Sequence, residues 1–207
     1  MRLLVIETAS EACSIALFEG DELVAQDHRV IGRGHAEALV PMIAALPGKG
    51  RAGRICVGLG PGSFTGVRIG LATARALGFA WEAEVLGYPT LALIAAQAQA
   101  ACPLEAVTVC VNGGHGECFI ADFGADGLPL GEAASLTPEA AAIRPRAALV
   151  AGNRAAALAG GGSARVLDLL PEAAAVPLLP QALLTCVLAP IYGRGPDATP
   201  MAERLHR

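Results

Sequence analysis

The stretch Gly58-Leu59-Gly60-Pro61-Gly62-Ser63-Phe64-Thr65-Gly66 constrains this chain more than any other. Arg54-Ile55-Cys56-Val57 before it reads as a short apolar strand; Val67 to Ala80 after it has helical spacing and no proline. The order is strand, glycine-rich turn, helix, an arrangement in which backbone N–H groups and a helix dipole can meet an anion. Gly60 and Gly62 permit positive φ, Pro61 fixes its own φ, and Ser63 or Thr65 can cap the first helical turn. Those five residues form a candidate phosphate loop. No Lys-Ser/Thr follows the last glycine, so the loop is not a Walker A motif, and it fits G-x-G-x-x-G poorly. The alternative is a tight strand-to-helix connection whose glycines let the helix pack closely.

The helix carries two stripes. Gly66, Gly70, Ala74 and Gly78 recur every fourth residue and allow another backbone to approach. A helical glycine costs roughly 0.5–1 kcal/mol relative to alanine, so three on one face need a packing reason. Arg68, Leu71 and Arg75 lie on another face, either as a wet rim around an apolar contact or as an ordinary solvated face.

At 207 residues, 54% apolar and 16% charged, the chain has a sizeable core available as one large domain or two small ones. Its net charge of −4 argues against a broad basic nucleic-acid-binding face. Leu3 to Ile6 is too short for a signal-peptide core. The uncharged run from Val85 into the residues before Leu104 is interrupted by Gly87, Pro89, Gln97, Gln99 and Pro103, which reads as a strand and an Ala-rich helix, not a membrane span. The six cysteines show no C-x-x-C spacing, against zinc and thioredoxin-type sites, and the expected compartment is the cytoplasm.

In order, Arg2 to Ile6, Cys13 to Phe18 and Leu23 to Val30 read as an antiparallel three-stranded meander. His35 to Leu46 reads as a helix with the stripe His35, Leu39, Met42 and Leu46, Ile43 adjacent, and a bend expected at Pro41. After the glycine loop and its helix come a strand at Glu84 to Gly87 and a helix at Thr90 to Ala101. Three antiparallel strands followed by crossovers to parallel strands are the layout of ribonuclease-H-like and actin-like domains. Past Pro103, strands are expected at Leu104 to Val111, Glu117 to Phe123, Leu128 to Ser135, Ala147 to Ala151 and Arg165 to Leu169. Short helices are expected after Thr137 and at Arg154 to Ala159, broken helix at Pro171 to Leu188, and a loosely packed tail from Ala189. This half reads as a shortened copy of the first.

The block GPGSFTGVRIGLATARALGFA, the opening LLVIETASEACSIALF and the segment GHAEALVPMI resemble the bacterial TsaB (YeaZ) family over nearly all of residues 1–100, and more weakly beyond. The resemblance implies an α/β fold of two actin-like ATPase (ribonuclease-H-like) domains, residues 1–102 with the dimerisation helices and a smaller 103–207. It also implies a non-catalytic subunit in the synthesis of N6-threonylcarbamoyladenosine next to the tRNA anticodon. Such a subunit pairs with the TsaD transferase subunit, works with the TsaE ATPase, meets tRNA through the complex, and forms a homodimer when alone. ATP and Mg²⁺ are used by the complex; no cofactor is assigned to this chain. Both dimers use the helices that are His35 to Leu46 and Thr65 to Ala80 here, which makes His35, Leu39, Met42, Ile43, Gly66, Arg68, Gly70, Leu71 and Arg75 the expected partner interface.

The metal-binding H-x-x-x-H pair of TsaD falls on Thr90 and Ile94, and no such pair exists elsewhere in the chain, so a catalytic role loses its main support. Glu7 stands where the family usually has Asp, and Asn112-Gly113-Gly114-His115-Gly116 replaces its Asp-Ala-Arg stretch. Pro190-Ile191-Tyr192-Gly193-Arg194 resembles the family's Pro-x-Tyr-x-Arg ending. The competing function is an actin-like ATP-binding enzyme with the glycine loop on phosphate and Glu7 near Mg²⁺.

Overall fold

A computed structural model describes residues 1–193. The first sheet has the order β3-β2-β1-β4-β5, from β1 (Arg2–Glu7), β2 (Ala12–Glu19), β3 (Glu22–Val30), β4 (Arg54–Gly58) and β5 (Glu84–Tyr88). β1, β2 and β3 pair antiparallel, and β4 and β5 run parallel to β1. This is the ribonuclease-H-like order expected from the meander and its crossovers. β1, β2 and β4 are almost wholly buried because helices cover both sides of the sheet, and their sequences accordingly read as continuous apolar runs.

On one side lie α1 (His35–Ala45) and α2 (Phe64–Trp81), whose Leu39, Met42, Ile43, Leu71 and Ala74 pack on Leu4, Ile6, Ile15, Leu17, Ile55 and Val57. On the other lies α3 (Thr90–Ala101), buried nearly all round because it is shared with a second sheet. The second sheet has the order β10-β9-β6-β7-β8, the same arrangement read from its opposite edge. Its strands are β6 (Val107–Gly114), β7 (Glu117–Phe123), β8 (Ala134–Leu136), β9 (Leu149–Ala151) and β10 (Arg165–Leu167). α4 (Pro138–Ala142) and α5 (Ala155–Ala159) complete it. No helix among the described residues is long and apolar enough to cross a membrane.

Several boundaries differ from the sequence expectation. The strand expected from Leu128 begins only at Ala134: Pro129 has no N–H to donate and makes a single bridge to Phe123. Leu104 is exposed with a left-handed φ of 63°, so it turns the chain and does not open β6. The segment after Pro171 forms only two 3-10 turns, Ala173–Leu178 and Gln181–Leu183.

The expected loose tail is the larger difference. Thr185 exchanges two backbone hydrogen bonds with Gly87 at the edge of the first sheet, at 2.8 and 3.0 Å, and the Ile191 N–H donates to the Leu59 carbonyl at 2.7 Å. The chain has already returned to the first sheet at Ala173, whose N–H donates to Ser14 Oγ at 2.9 Å, and residues 185–193 form a strap along that sheet's edge, the glycine loop and α2. Arg194 of the Pro-x-Tyr-x-Arg ending lies outside the described residues.

Candidate functional site

The glycine loop sits at the end of β4, beside the β1–β2 turn. Ser63 caps α2, its Oγ accepting the Gly66 N–H at 3.2 Å, while Thr65 is exposed one residue into the helix. The Ser63 N–H donates to the Ala9 carbonyl at 2.7 Å, and the Gly60 N–H donates to Thr90 Oγ1 at 3.2 Å. Gly60 has a φ of 90° and is joined to Pro61 by a cis peptide bond. A Cβ on Gly62 would overlap the Ala9 carbonyl, and one on Gly66 would overlap the Thr8 carbonyl. The N–H groups of Gly60, Ser63 and Gly66 are thus engaged by the protein itself, so of the five residues expected to meet phosphate, Gly60 and Ser63 spend their N–H groups within the chain. The glycines serve the close approach of the β1–β2 turn, and the bland alternative is the one the contacts support.

Behind the loop lies Glu7, fully buried. Its Oε1 accepts the Ala9 N–H at 2.7 Å and its Oε2 accepts the Thr90 hydroxyl at 3.0 Å. Thr90 also donates its N–H to the Gly60 carbonyl at 2.8 Å. Burial pushes the Glu7 carboxyl from an ordinary 4.5 up to about 7, against these hydrogen bonds, which favour the charged form. Gly58 is small because a side chain there would overlap the Glu7 carboxyl. Glu7 and Thr90 thus join β1, the glycine loop and the start of α3.

At the second position compared with the histidine pair, Ile94 is buried in the apolar core. Among the described residues no group of three His, Cys, Asp or Glu side chains is placed to hold a metal ion. The competing ATP-binding reading would place a Mg-nucleotide in this region. The Glu7 carboxyl does not fit one: it is buried and hydrogen-bonded on both oxygens.

In front of the loop a cavity of about 810 Å³ opens between the two sheets, bordered by Glu11, Ser63, Arg68, Asn112, His115 and Tyr192. The hairpin between β6 and β7 forms one wall, with His115 at its exposed tip in a left-handed conformation of φ 53°. Asn153 closes one end: its Nδ2 donates to both Glu11 carboxylate oxygens at 2.8 and 3.0 Å, and its Oδ1 accepts the Asn112 N–H at 2.9 Å. Sequence reading missed this latch, because its partners stand 142 residues apart and share no motif.

The expected interface residues divide in two. His35, Leu39, Met42, Ile43, Gly66, Gly70 and Leu71 all face inward. His35 Nε2 lies 3.2 Å from the Ala12 carbonyl, and a Cβ on Gly70 would overlap the Thr8 hydroxyl. What approaches the small-residue stripe is the chain itself: Thr8 of the β1–β2 turn at Gly66 and Gly70, and Val85 of β5 at Gly78. These seven expected interface residues are buried within the chain itself, because an apolar stripe on a sheet-covering helix is buried against that sheet first.

Arg68 and Arg75 do face outward. Arg68 lies 3.2 Å over the Phe64 ring and donates to the Tyr192 hydroxyl at 2.6 Å; Arg75 donates to the Leu188 carbonyl at 2.6 Å. Both hold the strap against α2. The outer surface they border is apolar: Ala72, Ala76 and Phe79 on α2, the last 90% exposed, and Val40 and Ala44 on α1, with Val40 55% exposed.

Comparison with known proteins adds the following. A family model described as TsaD: tRNA N6-adenosine threonylcarbamoyltransferase matches residues 28–165. The crystal structure of YeaZ from Pseudomonas aeruginosa is similar, with a TM-score of 0.71 and 31% identity, over 86% of this chain and 89% of that one. The tRNA threonylcarbamoyladenosine biosynthesis protein TsaB of Escherichia coli K12 is 34% identical over 131 residues, 61% of this chain. That match spans 56% of the length of the Escherichia coli protein, so the chain aligns with about half of that relative. An uncharacterized protein of Mycobacterium bovis is 32% identical over 97% of this chain and 95% of its own length.

Proposed function

Because the chain belongs to the TsaB (YeaZ) family, we propose that it is a non-catalytic subunit in the synthesis of N6-threonylcarbamoyladenosine on tRNA, acting by docking the TsaD transferase subunit on the outward face of α1 and α2. The observation that carries this is Phe79. It is 90% exposed and shares the exposed face of α2 with Ala72 and Ala76, while Val40 is exposed on α1. A large aromatic set among small apolar residues is the composition of an interface centre, not of a solvated helix face. The sealed Glu7–Thr90 pair supports the non-catalytic part. TsaE and tRNA would meet the chain through the complex, and the first sheet within residues 2–88 and the second within 107–167 support a division into the two actin-like domains 1–102 and 103–207.

The test is light scattering on the full chain, alone and mixed with the TsaD subunit of the same organism. A one-to-one complex is expected for the wild type, and Phe79→Glu and Val40→Glu should abolish it while leaving the denaturation midpoint unchanged. Retention of the complex by both variants would remove this face from the docking role.

A further inference from the structure

Two of the six cysteines are brought together by the register of the second sheet. Cys110 lies on β6 and Cys118 on β7, and the pairing sets Cys110 against Ile120 and Asn112 against Cys118. The two cysteines are therefore diagonal neighbours on one face, the face covered by α4 and α5. There they pack with Ile120, Ala141, Ala155 and Leu158. Cys118 is 9% exposed and Cys110 1%. Burial, followed by the charge and hydrogen bonding of Cys118 beside it, pushes the Cys110 thiol up to about 12. The other four are placed apart: Cys13 and Cys56 are buried on opposite faces of the first sheet, Cys102 follows α3, and Cys186 is exposed on the strap.

We propose that Cys110 and Cys118 are a redox site: a peroxide joins them as a reversible disulfide across the β6–β7 hairpin, and the bond loosens the Asn153 latch. The site stands whether or not α1 and α2 dock a partner. Cys118, the more exposed thiol, meets the oxidant. Its sulfur attacks one peroxide oxygen, the O–O bond breaks, and a sulfenic acid and one water result. The Cys110 sulfur then attacks the sulfenic sulfur. The S–O bond breaks, the S–S bond forms, and the Cys110 proton leaves with the hydroxide as a second water. The two thiols lose two electrons in total and the peroxide gains them. Diagonal neighbours have Cα atoms about 7–8 Å apart, whereas a disulfide spans about 4.4–6.8 Å, so the strands must draw together by about 1 Å. The irregular pairing between Asn112 and Gly114, with Gly113 and Gly116 beside it, leaves room for this on the hairpin side. Two bonds of β6 resist it: the Cys110 carbonyl accepts the Arg154 N–H at 3.1 Å, and the Asn112 N–H donates to Asn153 Oδ1 at 2.9 Å. The second gives way, and Asn153 is the residue that holds Glu11. A disulfide closed across such a separation is readily reduced by a dithiol.

The experiment treats the folded full chain, carrying Cys186→Ser to silence the exposed thiol, with hydrogen peroxide and digests it unreduced with a glutamate-specific protease. Cleavage after Glu105, Glu117 and Glu132 puts Cys110 and Cys118 on separate peptides. The expected result is one linked pair of peptides, the loss of two free thiols per chain, and recovery of both with dithiothreitol. Adding Cys110→Ala should stop the reaction at a Cys118 sulfenic acid that dimedone traps. Adding Cys118→Ala should give neither the link nor an adduct at Cys110. In the linked protein, amide exchange at Asn112 should speed up about fivefold, as for the loss of one hydrogen bond. The peptide map of the chain with both cysteines decides the matter even where an alanine variant fails to fold. A folded chain that keeps these two thiols under peroxide, while the urea-unfolded chain links them, would make the pair two small buried hydrophobes and overturn the proposal. A dimedone adduct on Cys118 with Cys110 present and no link would also overturn it. A link that leaves Asn112 exchange unchanged would overturn the effect on the latch.

Discussion

Replacing Glu7 by glutamine should remove a pH dependence that the fold builds in. In the folded chain burial holds the carboxyl at about 7 instead of 4.5. Below pH 4.5 it is protonated in both folded and unfolded chains, and the stability associated with the raised value is fully present. As pH rises from 4.5 to 7 the unfolded chain loses its proton while the folded chain keeps it, so folding is progressively disfavoured; above 7 both are ionised and the effect levels off. At about 1.36 kcal/mol per pH unit of separation, the loss across this window is about 3 kcal/mol. Glutamine retains an oxygen to accept the Ala9 N–H and carries no proton to lose. The assay is urea unfolding of wild type and Glu7→Gln at pH 4.5, 5.5, 6.5 and 8. The difference between the two proteins is read, so that other carboxylates cancel. The wild type should lose about 3 kcal/mol relative to the variant between the lowest and highest pH. A difference that does not change with pH would show that Glu7 titrates normally and is not sealed.

Three further outcomes follow from the same contacts. Gly66→Ala should destabilise by about 1–3 kcal/mol, since the methyl meets the Thr8 carbonyl; a solvent-facing helical glycine would instead gain about 0.5–1 kcal/mol, so the sign of the shift in urea midpoint decides. Leu39→Ala should cost about 2–5 kcal/mol in chemical denaturation, while the neighbouring Val40→Ala stays within about 0.5 kcal/mol; equal effects would contradict the inward placement of the stripe. Asn153→Ala should accelerate amide exchange at Asn112, whose N–H it holds, and cost about 1 kcal/mol; unchanged exchange there would remove the latch.

Much of the first lobe could be read from residues alone because its signals are local. Apolar runs of five to eight residues, bounded by Gly20, Gly34 and the glycine loop, leave little choice of element. The second sheet was less legible: three of its strands are three residues long, too short for periodicity to place them. The stripes on α1 and α2 were found, but not what they face. An amphipathic pattern says that a surface is covered, not by which neighbour. The chain's own sheet took His35, Leu39 and Met42, and the true outer face, built from Val40, Ala44, Ala72 and Ala76, carries only a weak signal. The Glu11–Asn153 latch and the strap depend on long-range placement, which no spacing encodes.

The strap gives the molecule a mechanical property that its sheets do not. The chain passes from the first sheet to the second after α3 and is back on the first by Ala173, whose N–H donates to Ser14 Oγ on β2, so the two halves are tied at two separate points. A body joined once can swing open about its single crossing. Joined twice, and latched by Asn153 to Glu11 and Asn112, it resists that swing, while the bonds at Thr185, Leu188, Ile191 and Tyr192 hold the returning chain along β5, the glycine loop and α2. Two of those bonds come from arginines on α2, so the strap and the outer side of that helix share the same two side chains.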